Sequence, residues 1–168
     1  SDDDSTILDH AIRLIGYYLA PENLGEHGLC LIREGDWNDS VNRAGLEGRG
    51  ESAMVSCQLV MVLRQAAGLV EHLARTGLSR LDGDVSAPFP GSLIFRADEL
   101  KESILTHALN CEGYLNAVFN DDGKWVFSPS DPDGRRRVNV PVNAFGIISG
   151  VLEGDNARRA LYILKSLK

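Results

Sequence analysis

Apolar positions recur along this chain at helical spacing in four or five segments, separated by polar and glycine-rich stretches. Leu8, Ile12, Ile15 and Leu19 stand 4, 3 and 4 residues apart, which predicts a first helix capped by Asp4 or Ser5. Pro21 and Gly25 then end it. A second helix follows Gly50: Val55, Leu59, Val62, Ala66, Leu69 and Leu73 keep the same rhythm, and Gly77 stands where a C-terminal cap belongs. Met54, Val60, Met61, Leu63 and Val70 widen its apolar face, so it is expected to be buried on two sides.

Gly83, Pro88, Pro90 and Gly91 punctuate residues 78–95, which read as loop. Asp98 is then placed to cap a third helix, with Glu99 and Glu102 in its first turn and Leu100, Ile104, Ala108 and Leu109 as its inner stripe. Tyr114, Leu115, Val118 and Phe119 precede Asp122-Gly123, and Trp125, Val126 and Phe127 follow it, the pattern of a β-hairpin. Trp125 reads as core or edge packing of that hairpin more readily than as a sugar platform. A short helix over 142–149 and a last one over 155–167 complete the series. No composition break divides the chain, so residues 1–168 read as one domain. Helices paired through long loops predict an all-α fold with a small β-hairpin insertion, either part of an α/α toroid or an irregular helical domain.

Composition narrows the partners. Hydrophobic residues at 43% and charged residues at 24% are those of a folded chain, and the net charge of -7 argues against nucleic acid, whose phosphates demand a basic surface. The one dense basic run, Arg135-Arg136-Arg137, reads as a solvated turn. No apolar stretch approaches the ~18–20 residues of a membrane span, so no membrane partner is expected. Ser1-Asp2-Asp3-Asp4 is acidic where a secretory signal is basic, and a cytoplasmic location is the expectation. Cys30, Cys57 and Cys111 form no CxxC pattern and are expected to be reduced, packed thiols. The four histidines show no metal-ligand spacing; His27 reads as a residue that braces a loop.

The chemistry is concentrated in residues 25–50, GEHGLCLIREGDWNDSVNRAGLEGRG. Long polar loops in a compact domain are uncommon unless they carry function. An indole can cover the apolar face of a pyranose while carboxylates and amides take its hydroxyl hydrogens, and a carboxylic acid can protonate a departing glycosidic oxygen. Trp37 beside Asp36, Asn38 and Asp39 supplies those groups. Gly48-Arg49-Gly50, ahead of a helix, is a weak candidate for an anion cradle.

The order of these pieces adds more. His27-Gly28-Leu29, then Gly35-Asp36-Trp37-Asn38-Asp39, then Asn42-Arg43, then residues 45–52 (GLEGRGES) at the start of an apolar helix resemble glycoside hydrolase family 94. That family comprises the cellobiose, cellodextrin, laminaribiose and chitobiose phosphorylases and the phosphorylase domain of cyclic β-1,2-glucan synthase. Asp9-His10, Glu112-Gly113-Tyr114-Leu115, the Asp122-Gly123 turn and Ile148-Ser149-Gly150 extend the resemblance over residues 5–167. The chain departs from the family pattern at Ser40, at Cys30, at Ala53-Met54-Val55 and along residues 139–145.

The resemblance implies an (α/α)6 barrel and an inverting phosphorolysis of a β-linked glucosyl di- or oligosaccharide that releases a sugar 1-phosphate. By position, Asp39 matches the general acid and Trp37 the residue lining the sugar at the cleavage site. Asp36, Asn38 and Arg43 brace the loop or reach substrate. Glu51 either helps start the helix or contacts substrate. Inorganic phosphate is the co-substrate, with no resident cofactor or metal. The resemblance further implies that the phosphate-binding elements lie beyond Lys168 and other sugar-binding residues ahead of Ser1. About half a barrel is then present, expected to need the remainder of the polypeptide, or a second copy, and to be inactive alone. Two other readings stay open: an inverting glycoside hydrolase on the same fold, and a non-catalytic carbohydrate-binding module.

Overall fold

The computed structural model describes residues 6–33, 41, 43–77, 89–129 and 131–167. Helix α1, Ile7–Leu19, starts at Thr6, not at Asp4 or Ser5: the Thr6 hydroxyl accepts from Asp9 N, and the Asp9 carboxylate accepts from Thr6 N at 2.7 Å. This reciprocal pair satisfies two helix-end donors. A 3-10 turn, Pro21–Asn23, follows.

Helix α2, Ala53–Thr76, is capped by the Ser52 hydroxyl on Val55 N and ends at Gly77 in the left-handed region, as its sequence predicts. It packs against α3, Pro90–His107, and against α4, Val140–Ile148, so it is buried on two sides. Its 24 residues, with a mean hydropathy of 1.5 over the most apolar window, are long and apolar enough to cross a membrane, which corrects the sequence reading. Half of that window is buried inside the chain, as in the core helix of a folded domain.

Helix α3 begins at Pro90, eight residues before the cap expected at Asp98. Pro90 and Gly91 read as breakers, yet proline at the first helical position gives up only an N–H that has no partner there. Asp98 is a mid-helix residue that pairs with Arg64 at 3.2 Å. Residues 78–88 of the expected loop lie outside the described residues. Helix α4 is capped by Asn139 on Val142 N, and α5, Gly154–Ser166, closes the chain.

The hairpin forms where the alternation places it, as β2, Val118–Phe119, and β3, Trp125–Val126. The sequence did not indicate a third strand. Strand β1, Glu51–Ser52, pairs antiparallel with β2, Glu51 opposite Phe119 and Ser52 opposite Val118, giving the order β1-β2-β3. The core joins Leu29, Met54, Cys57, Val60 and Leu63 to Leu93, Leu100, Ile104, Leu115 and Leu152. Asn143 is buried in it and fully used, taking Leu115 N at 2.8 Å and donating to the Leu115 and Asn139 carbonyls.

The fold class is all-α with a small three-stranded antiparallel sheet, consistent with part of a helical toroid. Leu14 and Tyr17 on α1, Val62 and Leu69 on α2, and Leu161 and Tyr162 on α5 are exposed. The basic run follows a turn and is solvated at Arg135 and Arg136, as expected, and it is also paired: Arg136 meets Glu112 at 2.7 Å, and Arg137 reaches Asp131 at 2.8 Å and Asp133 at 2.6 Å. Burial raises the Cys30 thiol pKa to about 11 and that of Cys57 to about 12, as packed thiols should behave, whereas Cys111 is exposed.

Candidate functional site

The chain leaves α1 and folds residues 25–29 around one carboxylate. Glu51, at the start of β1, is fully buried. Its Oε1 accepts from His27 N at 3.1 Å and Leu29 N at 3.2 Å, and its Oε2 lies 2.5 Å from His27 Nδ1. A buried carboxylate needs such partners to offset its lost hydration. Glycine at position 25 is required, because a Cβ there would fall 2.3 Å from Glu51 Oε1.

His27 therefore braces the loop, as read from the sequence. Its ring meets Phe119 edge-on at 4.4 Å between centroids, with His107 at 4.7 Å and Trp125 at 5.9 Å. Trp125 is half-buried in this aromatic cluster on the hairpin.

Beyond the turn the chain pairs with the strand to which it will return. Leu31 bridges to Glu51, Ser52 N donates to Cys30 O at 2.8 Å, and Ile32 N donates to Gly50 O at 2.8 Å. These contacts form a hydrogen-bonded neck between residues 30–32 and residues 50–52. Residues 34–40 and Asn42 lie outside the described residues, and with them Asp36, Trp37, Asn38 and Asp39. The flanks are described. Arg33 adopts φ 53° and its guanidinium bonds the Glu22 carbonyl, while Val41 is buried in the core. Arg43 is exposed. Of the named site residues, Arg43 and Glu51 are therefore placed, Glu51 within the neck itself with its carboxylate occupied by the turn.

The cradle suspected at Gly48-Arg49-Gly50 does hold an anion, and it belongs to the protein. Asp121, in the turn of the hairpin, accepts from Glu47 N at 2.8 Å, Arg49 N at 2.9 Å and Gly50 N at 3.0 Å. Burial pushes its pKa upward, but those three N–H groups and the Arg49 charge outweigh it and hold the carboxyl below its ordinary value. Sequence reasoning missed this residue: Asp122-Gly123 marks the turn, but nothing local links Asp121 to a segment some seventy positions earlier.

Comparison with known proteins follows the same lines. The family model described as "Glycosyl hydrolase 94 superfamily, catalytic domain" matches residues 1–167. The solabiose phosphorylase of Paenibacillus borealis is 32% identical, over 93% of this chain and 18% of that protein. A 3-O-beta-D-glucopyranosyl-beta-D-glucuronide phosphorylase of the same organism is 31% identical, over 99% of this chain and 20% of its own length. The cyclic beta-(1,2)-glucan synthase NdvB of Rhizobium meliloti is 38% identical over 94% of this chain and 5% of its own length. The chain thus spans a fifth or less of these relatives. Among solved structures, a GH78 family rhamnosidase of Bacillus sp. GL1 shares the fold, with a TM-score of 0.57 at 17% identity over 96% of this chain and 14% of the other.

Proposed function

The chain belongs to the glycosyl hydrolase 94 superfamily, as part of its catalytic domain, and from that premise we propose that it is the acid-bearing portion of an inverting glycoside phosphorylase. The relatives named as phosphorylases act on glycosides with phosphate as co-substrate. The substrate proposed here is a β-linked glucosyl di- or oligosaccharide. The observation that supports the reading is the family match over residues 1–167, a span that contains the run Gly35-Asp36-Trp37-Asn38-Asp39.

In the proposed reaction Asp39 gives its proton to the glycosidic oxygen as the bond to the anomeric carbon breaks. A phosphate oxygen forms the new bond from the opposite face, which inverts the configuration and yields an α-sugar 1-phosphate and the free acceptor sugar. One protein carboxyl suffices, because phosphate takes the place of the water and base of an inverting hydrolase. Trp37 covers the sugar at the cleavage site, and Asp36, Asn38 and Arg43 order the loop or the substrate. The remainder of the polypeptide supplies the phosphate site and covers the exposed apolar positions on α1, α2 and α5.

Replacing Asp39 by Asn in the full-length protein tests the assignment. A loss of about 10²–10⁴-fold in turnover of the disaccharide is expected, the range general acids contribute. Unchanged turnover would remove Asp39 from the mechanism.

A further inference from the structure

We propose that the cleft beside Trp125, on the edge strand of the sheet, is a further carbohydrate site that takes a glucosyl unit of a longer saccharide. The inference rests on the proposed function for the class of ligand. The site is built from Asn116, Lys124, Trp125, Pro129 and Pro132, and Asp39 has no part in it.

Trp125 stands on β3 opposite Phe119 on β2. The two rings lie 5.5 Å apart between centroids, so the indole is half-buried and held. It also lines a cleft of about 380 Å³ with Asn116, Lys124, Pro129 and Pro132. That volume falls within the roughly 300–1,000 Å³ of small-molecule sites.

Asn116 gives the cleft a donor whose direction is fixed. The residue is only 7% exposed. Asn110 Oδ1 accepts from Glu112 N at 3.0 Å and from Tyr114 N at 3.4 Å, so Asn110 Nδ2 is the donor that meets Asn116 Oδ1 at 2.9 Å. Asn116 Nδ2 is thereby turned the other way and has no acceptor among the described residues. It is not sealed in, because among those residues Asp9 Oδ1 alone is a fully buried side-chain polar atom without a partner. A held amide donor without an acceptor, in a residue nine-tenths buried, is a contact for a ligand oxygen.

The walls are held too. Asp131 accepts from Ser128 N at 2.8 Å and from Ser128 Oγ at 3.1 Å, which ties Ser128, next to Pro129, to Asp131, next to Pro132. Such a cleft needs little ordering on binding. Lys124 is the one charged residue among those described that line it, and it is exposed, so no buried charge demands an anion. A flat apolar ring with an amide donor and an ammonium at its margin matches a pyranose, which offers an apolar C–H face and a rim of hydroxyl oxygens.

The test follows two tryptophans in the full-length protein labelled with 5-fluorotryptophan. The ¹⁹F signals of Trp125 and Trp37 are assigned with Trp125→Phe and Trp37→Phe, and β-1,2-, β-1,3- and β-1,4-linked glucose tetrasaccharides are titrated in turn without phosphate. At least one of them is expected to move the Trp125 signal saturably. Asn116→Asp keeps the acceptor that Asn110 needs and places an acceptor where the donor was. It should raise the Trp125 midpoint by about 3–10-fold and leave the Trp37 midpoint unchanged. Trp37 moving alone, neither signal moving, a parental midpoint in Asn116→Asp, or a rise shared equally by both signals would overturn the site. Trp125 moving without Trp37 would keep the site and count against the sugar contact assigned to Trp37, so the two readings fail separately. Should Asn116→Asp fail to fold, Lys124→Ala carries the comparison, with a midpoint at Trp125 raised about 3-fold expected and an unchanged one decisive against the site.

Discussion

His27 Nδ1 and Glu51 Oε2 lie 2.5 Å apart, joining a turn just after α1 to the strand that opens α2. Because Glu51 also holds two backbone N–H groups in a site closed to water, removing it strands three polar groups at once. Glu51→Ala is expected to destabilise the protein by about 3 kcal/mol, seen as a lower urea midpoint or Tm. Glu51→Gln, which keeps one acceptor oxygen, should lose less. If Glu51 contacts substrate instead, the variants would raise KM and leave unfolding within about 0.5 kcal/mol of the parent.

Position 25 admits no side chain, because the Glu51 carboxylate fills the space a Cβ needs. Gly25→Ala should therefore cost about 1–3 kcal/mol. Gly68, on the exposed side of α2 with nothing within 4 Å of a built Cβ, is the counterpart. Gly68→Ala should stabilise by about 0.5–1 kcal/mol. Thermal unfolding of the two variants reads both signs, and the reverse order would show that the packing around Glu51 has been misjudged.

The depressed pKa of Asp121 gives its hold on the Glu47, Arg49 and Gly50 N–H groups a pH window. A carboxyl whose folded pKa lies below its unfolded value contributes stability that is complete above the unfolded pKa, near 3.8, and fades as pH falls through the folded one. The stability difference between the parent and Asp121→Asn should thus be constant at neutral pH and shrink below about pH 4. A difference that grew on acidification would contradict the three-amide cradle.

Of the three cysteines, Cys111 alone is exposed, while Cys30 and Cys57 are buried with their pKa values raised to about 11 and about 12. A maleimide at neutral pH is expected to label Cys111 rapidly and the other two only after unfolding, because the thiolate is the reactive form. Peptide mapping of the labelled protein decides it. Fast labelling of Cys57 would mean that the α2 core opens readily.

Much of the fold was legible because it is written in local pattern. The apolar rhythm from Val55 to Leu73 and the glycine at 77 give α2, and the alternation around Asp122-Gly123 gives the hairpin. The misreadings have local causes too. Pro90 and Gly91 look like loop until proline is allowed the first turn of a helix, and Thr6 stands directly after Asp4 and Ser5, which are capping residues by type as well. Long-range partners were not legible. No periodicity relates Glu51 to the turn at 27–29, β1 to β2, or Asp121 to Gly50, since these contacts are decided by how distant segments pack. The ordered series from His27 to Ser52 did carry the family, and its glycines include positions such as Gly50, where a Cβ would fall 2.4 Å from Gly45 Cα.

Phosphate dependence separates phosphorolysis from hydrolysis. The full-length protein is incubated with a β-linked glucosyl disaccharide, with and without inorganic phosphate, and the products are followed by ³¹P and ¹H NMR. Cleavage is expected only when phosphate is present, with an α-sugar 1-phosphate and the free acceptor sugar formed in equal amounts. Release of two free sugars at an undiminished rate without phosphate would contradict it and point to water as the nucleophile.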